Sequence, residues 1–201
     1  LWDYIEKLPQ DRTVKKARYE RIRFLFSLLY LQAPRVNEIA THKMNSFSIF
    51  KNKWWWHVTG KGNKQARIPV PPDMLTALKR YRTFLGLTPL PSIDDTIPLV
   101  PHLHDTDQAI SADMIYRIVK NIFHEAADEI AITAPSHADK LRHASTHWIR
   151  HTSLTHQADT GIDIRYLQAN ARHSSIETTK RYLHKEEDEW HNIVAKHKLV
   201  K

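Results

Sequence analysis

The chain has 201 residues, with 30 lysines and arginines against 22 acids, for a formal charge of +8. It has no cysteine, which excludes disulfides, thiolate zinc sites and cysteine nucleophiles. No apolar run approaches the ~20 residues that cross a bilayer and no signal-peptide pattern is present, so a cytosolic protein is expected. A basic surface of this size favours a polyanion, nucleic acid being the commonest.

Helical periodicity runs over 13–33, where Val14, Ala17, Ile22, Leu25, Leu28 and Leu29 can share a face. Pro34 bends or ends this helix just before Arg35, and a short helix follows through Val36, Ile39 and Ala40. Three β runs come next: Ser46–Phe50, Trp54–Thr59 and Ala66–Val70, joined by Lys51-Asn52-Lys53 and by Gly60-Lys61-Gly62-Asn63-Lys64. Alternation puts Trp54 and Trp56 on one face and Trp55 on the other, which suits strand packing better than base stacking. A helix is expected over 73–85, a proline-rich loop over 86–110, a strong helix over 111–130 and a loop around Pro135. Further helices are expected at 139–158, 163–170, 175–183 and 186–198, with Gly161 as a break. The fold class is α+β, mostly helical, with a small three-stranded antiparallel sheet.

Several residues suit phosphodiester chemistry. His147 and Arg150 stand at i and i+3 of a predicted helix and so project from one face. Arginine offers a planar fork that matches two phosphate oxygens, and histidine can hydrogen-bond the same group or relay a proton. His173 lies in a predicted turn. Arg35 is followed at i+3 by Glu38, which either forms a plain surface pair with it or orients its guanidinium. Lys61 sits between two glycines in the hairpin loop; it can act as a general acid, with Lys64 as its local rival. Tyr182 lies in a basic neighbourhood, Lys180-Arg181-Tyr182, and cations are what a phenol needs to become a nucleophile.

Arg35, Lys61, His147, Arg150, His173 and Tyr182 appear in an order and spacing that resemble the catalytic domain of the tyrosine recombinases, the family of phage integrases and Xer proteins. The resemblance covers about residues 13–185. It implies attack by Tyr182 on a DNA phosphate to give a 3′-phosphotyrosyl link, with Arg35, His147, Arg150 and His173 stabilising the transition state. Lys61 would protonate the leaving 5′ oxygen, and no metal, cofactor or ATP would be needed. Three departures stand out: Ala33-Pro34-Arg35 replaces the usual Gly-Leu-Arg, Arg172 replaces the glycine before the second histidine, and Ser145-Thr146 precedes His147 where many members have proline. Two alternatives remain, a type IB topoisomerase and a DNA-binding module with a silent site. A third, metal-based reading rests on His143, His147 and His151 at i, i+4 and i+8 of one predicted helix.

The expected partner is double-stranded DNA, held through phosphates by Lys43, Lys64, Arg67, His143, His151 and Lys180. The resemblance further implies tetramers on paired sites and a bacterial or mobile-element source. The chain begins at Leu1 without a methionine, and family members carry a separate N-terminal DNA-binding domain. The expectation is therefore that residues 1–201 are the catalytic portion of a longer protein. Its last segment, 186–201 with Trp190, Ile193 and Val194, either contacts a neighbouring protomer or covers its own core.

Overall fold

A computed structural model describes residues 1–183. The expected helix over 186–198 lies outside the described residues. Among the described residues the elements run α1 (Trp2–Glu6), α2 (Thr13–Leu31), α3 (Val36–Thr41), β1 (Phe47–Phe50), β2 (Lys53–Thr59), β3 (Gln65–Pro69), α4 (Pro72–Phe84), α5 (Ala112–Ile130), α6 (Pro135–His143), α7 (Thr146–Asp159), α8 (Ile164–Ala171) and α9 (Ile176–Lys180). The strands form one antiparallel sheet in the order β1-β2-β3. Trp56 pairs with Phe47 on one side and Ile68 on the other.

Helix α2 forms the centre of the large core. Its buried face carries Ile22, Phe24, Leu25, Leu28 and Leu29, and Phe24 stacks on Tyr81 of α4 at 4.5 Å between centroids. A second face meets α5, where Phe26 packs edge-on against Phe123. Trp56 is fully buried, stacks on Phe47 and donates its indole N–H to Ser46 Oγ at 3.0 Å. The tryptophan run therefore belongs to strand packing, as the alternation predicts.

Three helical expectations change. Residues 139–158 are not one helix: α6 ends at His143, Ala144 and Ser145 are extended, and α7 starts at Thr146. Lys120 explains the break, because its ammonium donates to the carbonyls of Arg142 and Ala144 and so satisfies the open end of α6. Pro135 is not in a loop but opens α6, a first-turn position where its missing N–H costs nothing. The segment predicted as helical over 175–183 is helical only over Ile176–Lys180. Helix α1 carried no signal in the sequence; it is one short turn whose Ile5 is buried against the core.

The proline-rich loop after α4 is held by a buried ion pair. Arg82 donates to Asp95 at 2.6 Å and to the Thr88 carbonyl at 2.8 Å. The loop then returns to the chain just after α3, where Leu99 N–H donates to the His42 carbonyl and Met44 N–H to the Ile97 carbonyl.

Candidate active site

Arg150 organises the site. It projects from the buried side of α7 and is 5% exposed. Its guanidinium donates to the carbonyl of Ala33, between α2 and α3, and to the carbonyl of Ala171, at the end of α8. One side chain thus ties together the segments that carry Arg35 and His173. Five N–H groups are available on a guanidinium, so two such bonds leave donors over. Burial, then the charges of Arg172 and Arg35, push Arg150 down to about 10, still a cation at neutral pH.

Ala33 has φ +44 and Arg172 has φ +54, both in the left-handed region. These are two of the positions where the sequence departs from glycine in the resembled pattern. Placing a β-carbon there costs roughly 1–2 kcal/mol. Arg172 offsets that strain with its side chain. The guanidinium is 7% exposed beside a 4% exposed Glu38. It donates from Nε to Glu38 Oε1 at 3.0 Å and from Nη2 to Glu38 Oε2 at 2.8 Å. It also donates to the Ala33 carbonyl at 2.9 Å, so two arginines share that oxygen.

Glu38 does contact Arg35, accepting from its backbone N–H at 2.7 Å and from Nη1 at 3.1 Å. Its main partner, however, is Arg172. Burial alone would push the Glu38 carboxyl up; Arg172 and the Arg35 N–H outweigh it and hold it below the usual range. With the carboxylate engaged mainly by Arg172, the Arg35 guanidinium stays 42% exposed and open to an anion. Its Nη2 also donates to the Arg172 carbonyl at 3.1 Å.

His173 follows Arg172 at the end of α8. Its Nδ1 lies 3.0 Å from the hydroxyl of Thr179, a fully buried residue on α9. Thr179 was not anticipated, because only the fold brings the α9 face against His173. Burial, then Arg150, Arg35, Arg172 and Arg181, push His173 down to about 4. The list of those cations defines the electrostatics of the site: four guanidiniums bear on one imidazole.

Tyr182 lies two residues past α9 and is 3% exposed. Its ring is nearly parallel to His173 at 5.9 Å, tilted against His151 at 4.9 Å, and 5.7 Å from the Arg181 guanidinium. Beneath it a small apolar cluster is made by Ala33, Leu154, Leu167 and Ala171.

His151, one of the residues expected to hold DNA phosphates, packs its ring against the tyrosine. His147 is exposed one turn earlier on α7; burial first, then Arg181, holds His151 below the usual histidine range. His143 belongs to α6, so the three histidines do not form one helical row, and that part of the metal reading fails. Its imidazole is engaged with Asp139, whose carbonyl lies 2.9 Å from Nδ1.

Lys61 sits in a 3-10 turn, Lys61–Asn63, at the tip of the β2–β3 hairpin. The turn needs left-handed backbone at Gly62 (φ 74) and Asn63 (φ 58), residue types that accept it. Lys64 and Arg67 line a cleft of about 1210 Å³ together with Arg35, Arg172 and His173. Arg165, which the sequence did not single out, lines the same cleft but is paired with Asp163 at 2.7 Å. Lys180 is exposed and paired with Glu177 at 2.6 Å. Lys43 lies apart, in a bridge with Pro98.

The model of the phage integrase family matches residues 4–189. The chain belongs to this family. Among its relatives, this family member is 30% identical over 158 residues to the tyrosine recombinase XerC of Neisseria meningitidis serogroup C, covering 79% of this chain and 45% of that one. It is 29% identical over 182 residues to the tyrosine recombinase XerA of Pyrococcus furiosus, covering 89% of this chain and 52% of that one. The chain therefore spans about half the length of the curated relatives it matches. Among solved structures, it resembles the XerH site-specific recombinase bound to its difH substrate before cleavage, with TM-score 0.67 at 19% identity over 96% of this chain and 50% of that one. It also resembles the Tn1549 transposon integrase in complex with transposon right-end DNA, with TM-score 0.65 at 16% identity over 96% of this chain and 62% of that one. The fold is that of the tyrosine recombinase catalytic domain, in agreement with the α+β expectation.

Proposed function

We propose that this integrase-family domain breaks and rejoins DNA strands through a 3′-phosphotyrosyl intermediate, acting as a site-specific recombinase. The observation that carries the reading is the packing of the Tyr182 ring against His173 and His151, beside a cluster of Arg35, Arg150 and Arg172 that has no apolar role.

The Tyr182 hydroxyl gives its proton to an imidazole beside its ring, His151 or His173, as its oxygen attacks the scissile phosphorus, and the bond from phosphorus to the 5′ oxygen breaks. That oxygen leaves with a proton supplied by Lys61. Arg35 and Arg150 hold the non-bridging oxygens as their charge grows, with His147 and His173 as further hydrogen-bond partners. Arginine and imidazole here do the charge stabilisation that metal ions do in other phosphoryl-transfer sites. Attack by a 5′-hydroxyl on the phosphotyrosine reverses the step and seals a strand without ATP. Positive charge along the cleft, from Lys64 and Arg67, holds the duplex through its phosphates, so binding weakens steeply with salt. Two such domains on each of two paired sites would complete an exchange of strands.

The test is a duplex nicked close to the scissile phosphate, incubated with the protein in EDTA. The expected product is a protein–DNA adduct that survives boiling in detergent and is lost in Tyr182→Phe. An adduct retained in that variant overturns the assignment. DNA binding without any adduct, using the longest natural form of the protein and its own site, supports a silent binding module. Relaxation of supercoils without strand exchange supports the topoisomerase reading.

A further inference from the structure

His42 stands between the arginine helix and the lysine hairpin, as the residue that ends α3. Besides a longer contact of Nδ1 with the neighbouring Thr41 hydroxyl at 3.3 Å, its ring makes two short hydrogen bonds of opposite polarity. Nδ1 lies 2.7 Å from the Glu38 carbonyl oxygen, which can only accept. Nε2 lies 2.8 Å from the Thr59 backbone N–H, which can only donate. The two partners together set one neutral tautomer, with the proton on Nδ1 and a lone pair on Nε2. The ring also packs edge-on over the buried Trp56 at 6.0 Å, and the backbone carbonyl of His42 accepts from Leu99 N–H at 3.0 Å.

The geometry joins two parts of the reaction machinery. Glu38 gives its carboxylate to Arg35 and Arg172 and its carbonyl to His42. Thr59 is the last residue of β2 and pairs with Gln65, the first of β3. Beyond it, Gly60 N–H closes the turn on the Lys64 carbonyl at 2.9 Å. A β-carbon on Gly60 would lie 3.6 Å from Glu38 Oε1, so the base of the hairpin rests beside the shared carboxylate. The Thr59–Gln65 pair ends the sheet ladder below the tip, and the Nε2 bond to Thr59 N–H ties that end of β2 to the end of α3.

We infer that His42 is a positioning residue for the lysine hairpin: it clips the Thr59 end of β2 to α3 and so holds the Lys61 turn in register with Arg35. The inference rests on Lys61 being the proton donor of the proposed reaction. His42 itself touches no reacting atom.

Two nicked duplexes separate the possibilities, one with the ordinary scissile phosphodiester and one with sulfur in place of the bridging 5′ oxygen. A thiolate leaves without a proton, since a thiol has a pKa of about 8.5. Lys61→Ala, His42→Leu and His42→Gln are compared with the natural protein by rate of adduct formation. His42→Leu is expected to cleave the ordinary duplex about tenfold slower, roughly the worth of one well-placed hydrogen bond, and to cleave the sulfur duplex within about twofold of the natural rate. His42→Gln, whose amide oxygen can accept from Thr59, keeps most activity on both. Should leucine not be tolerated by the fold, His42→Asn keeps a donor for the Glu38 carbonyl, loses the reach to Thr59 and reads the same effect. If Lys61→Ala is not rescued by sulfur, Lys61 is not the acid and the premise falls. If Lys61→Ala is rescued while His42→Leu is equally slow on both duplexes, or normal on both, the positioning role is refuted.

Discussion

The two apolar clusters of this domain are built on different principles. The large one, around α2, α4 and α5, is held by bulky side chains such as Phe24, Leu25, Tyr81 and Phe123. The small one, under Tyr182, contains Ala33, Leu154, Leu167 and Ala171 and has little apolar surface to bury. Guanidiniums replace apolar bulk there: Arg150 on the carbonyls of Ala33 and Ala171, and Arg172 on Glu38 and Ala33. The lesson is that the end proposed to do the chemistry is held by the same class of group that would grip a phosphate. Damage to the first region should cost stability, and damage to the second should cost chemistry and local structure together.

Arg150→Ala is the severest break. It removes a phosphate ligand and the anchor of two carbonyls, so cleavage should fall by at least about a thousandfold. Local protection of amides near Ala33 and Ala171 should fall in hydrogen exchange, while the large core keeps its protection. Cleavage within tenfold of normal would contradict this account of the site.

Phe24→Ala is the complementary change. It empties a stacked position in the large core and should cost about 3–5 kcal/mol of global stability in denaturant titration. Below its melting range the cleavage rate should be nearly unchanged. A selective loss of activity without loss of stability would erase the distinction between the regions.

The two left-handed residues sharpen the comparison, because the same backbone argument gives opposite signs. Ala33→Gly should stabilise the domain slightly, by about 0.5 kcal/mol once the extra freedom of glycine in the unfolded chain is counted. Arg172→Gly also relieves strain but leaves Glu38 without its main partner. Breaking a buried pair costs roughly 3–5 kcal/mol, so a net loss of about 2 kcal/mol remains after about 1–2 kcal/mol of strain relief. Denaturant midpoints check both, and a stabilising Arg172→Gly would show the ion pair to be ornamental.

The last prediction is a titration. His173 resists protonation in the folded state, at about 4, against an unfolded value near 6.5. The unfolded chain therefore takes up this proton first, and the contribution of His173 to stability is lost as pH falls from about 6.5 towards 4. A bound phosphodiester adds negative charge beside the imidazole and should raise its midpoint. NMR of the His173 ring, free and with DNA, reads both; a normal midpoint in the free protein would contradict the cation cluster.

Most elements and the family were legible in the sequence, since hydrophobic period, turn residues and motif spacing are local signals; the roles of the six site residues remain the proposal made above. The hairpin carrying Lys61 and the helix pair around Arg35 follow from alternation, glycines and Pro34. The roles of Arg172, Thr179, His151 and His42 were not legible. Each depends on a partner that only the tertiary fold supplies: Glu38 for Arg172, Tyr182 for His151 and Thr59 for His42 from distant elements, and His173 for Thr179 across the bend between α8 and α9. The break at Ala144 was hidden for the same reason, because the lysine that stabilises it is on α5.

The central claim is that the phenol of Tyr182 becomes bonded to DNA phosphorus. The most direct measurement is mass spectrometry of the trypsin- and nuclease-digested adduct. Cleavage after Arg181 and Lys185 releases Tyr182-Leu183-His184-Lys185. The account predicts this tetrapeptide carrying a nucleotide through its 3′ phosphate. A nucleotide on any other residue, or one joined through a 5′ phosphate, would contradict it.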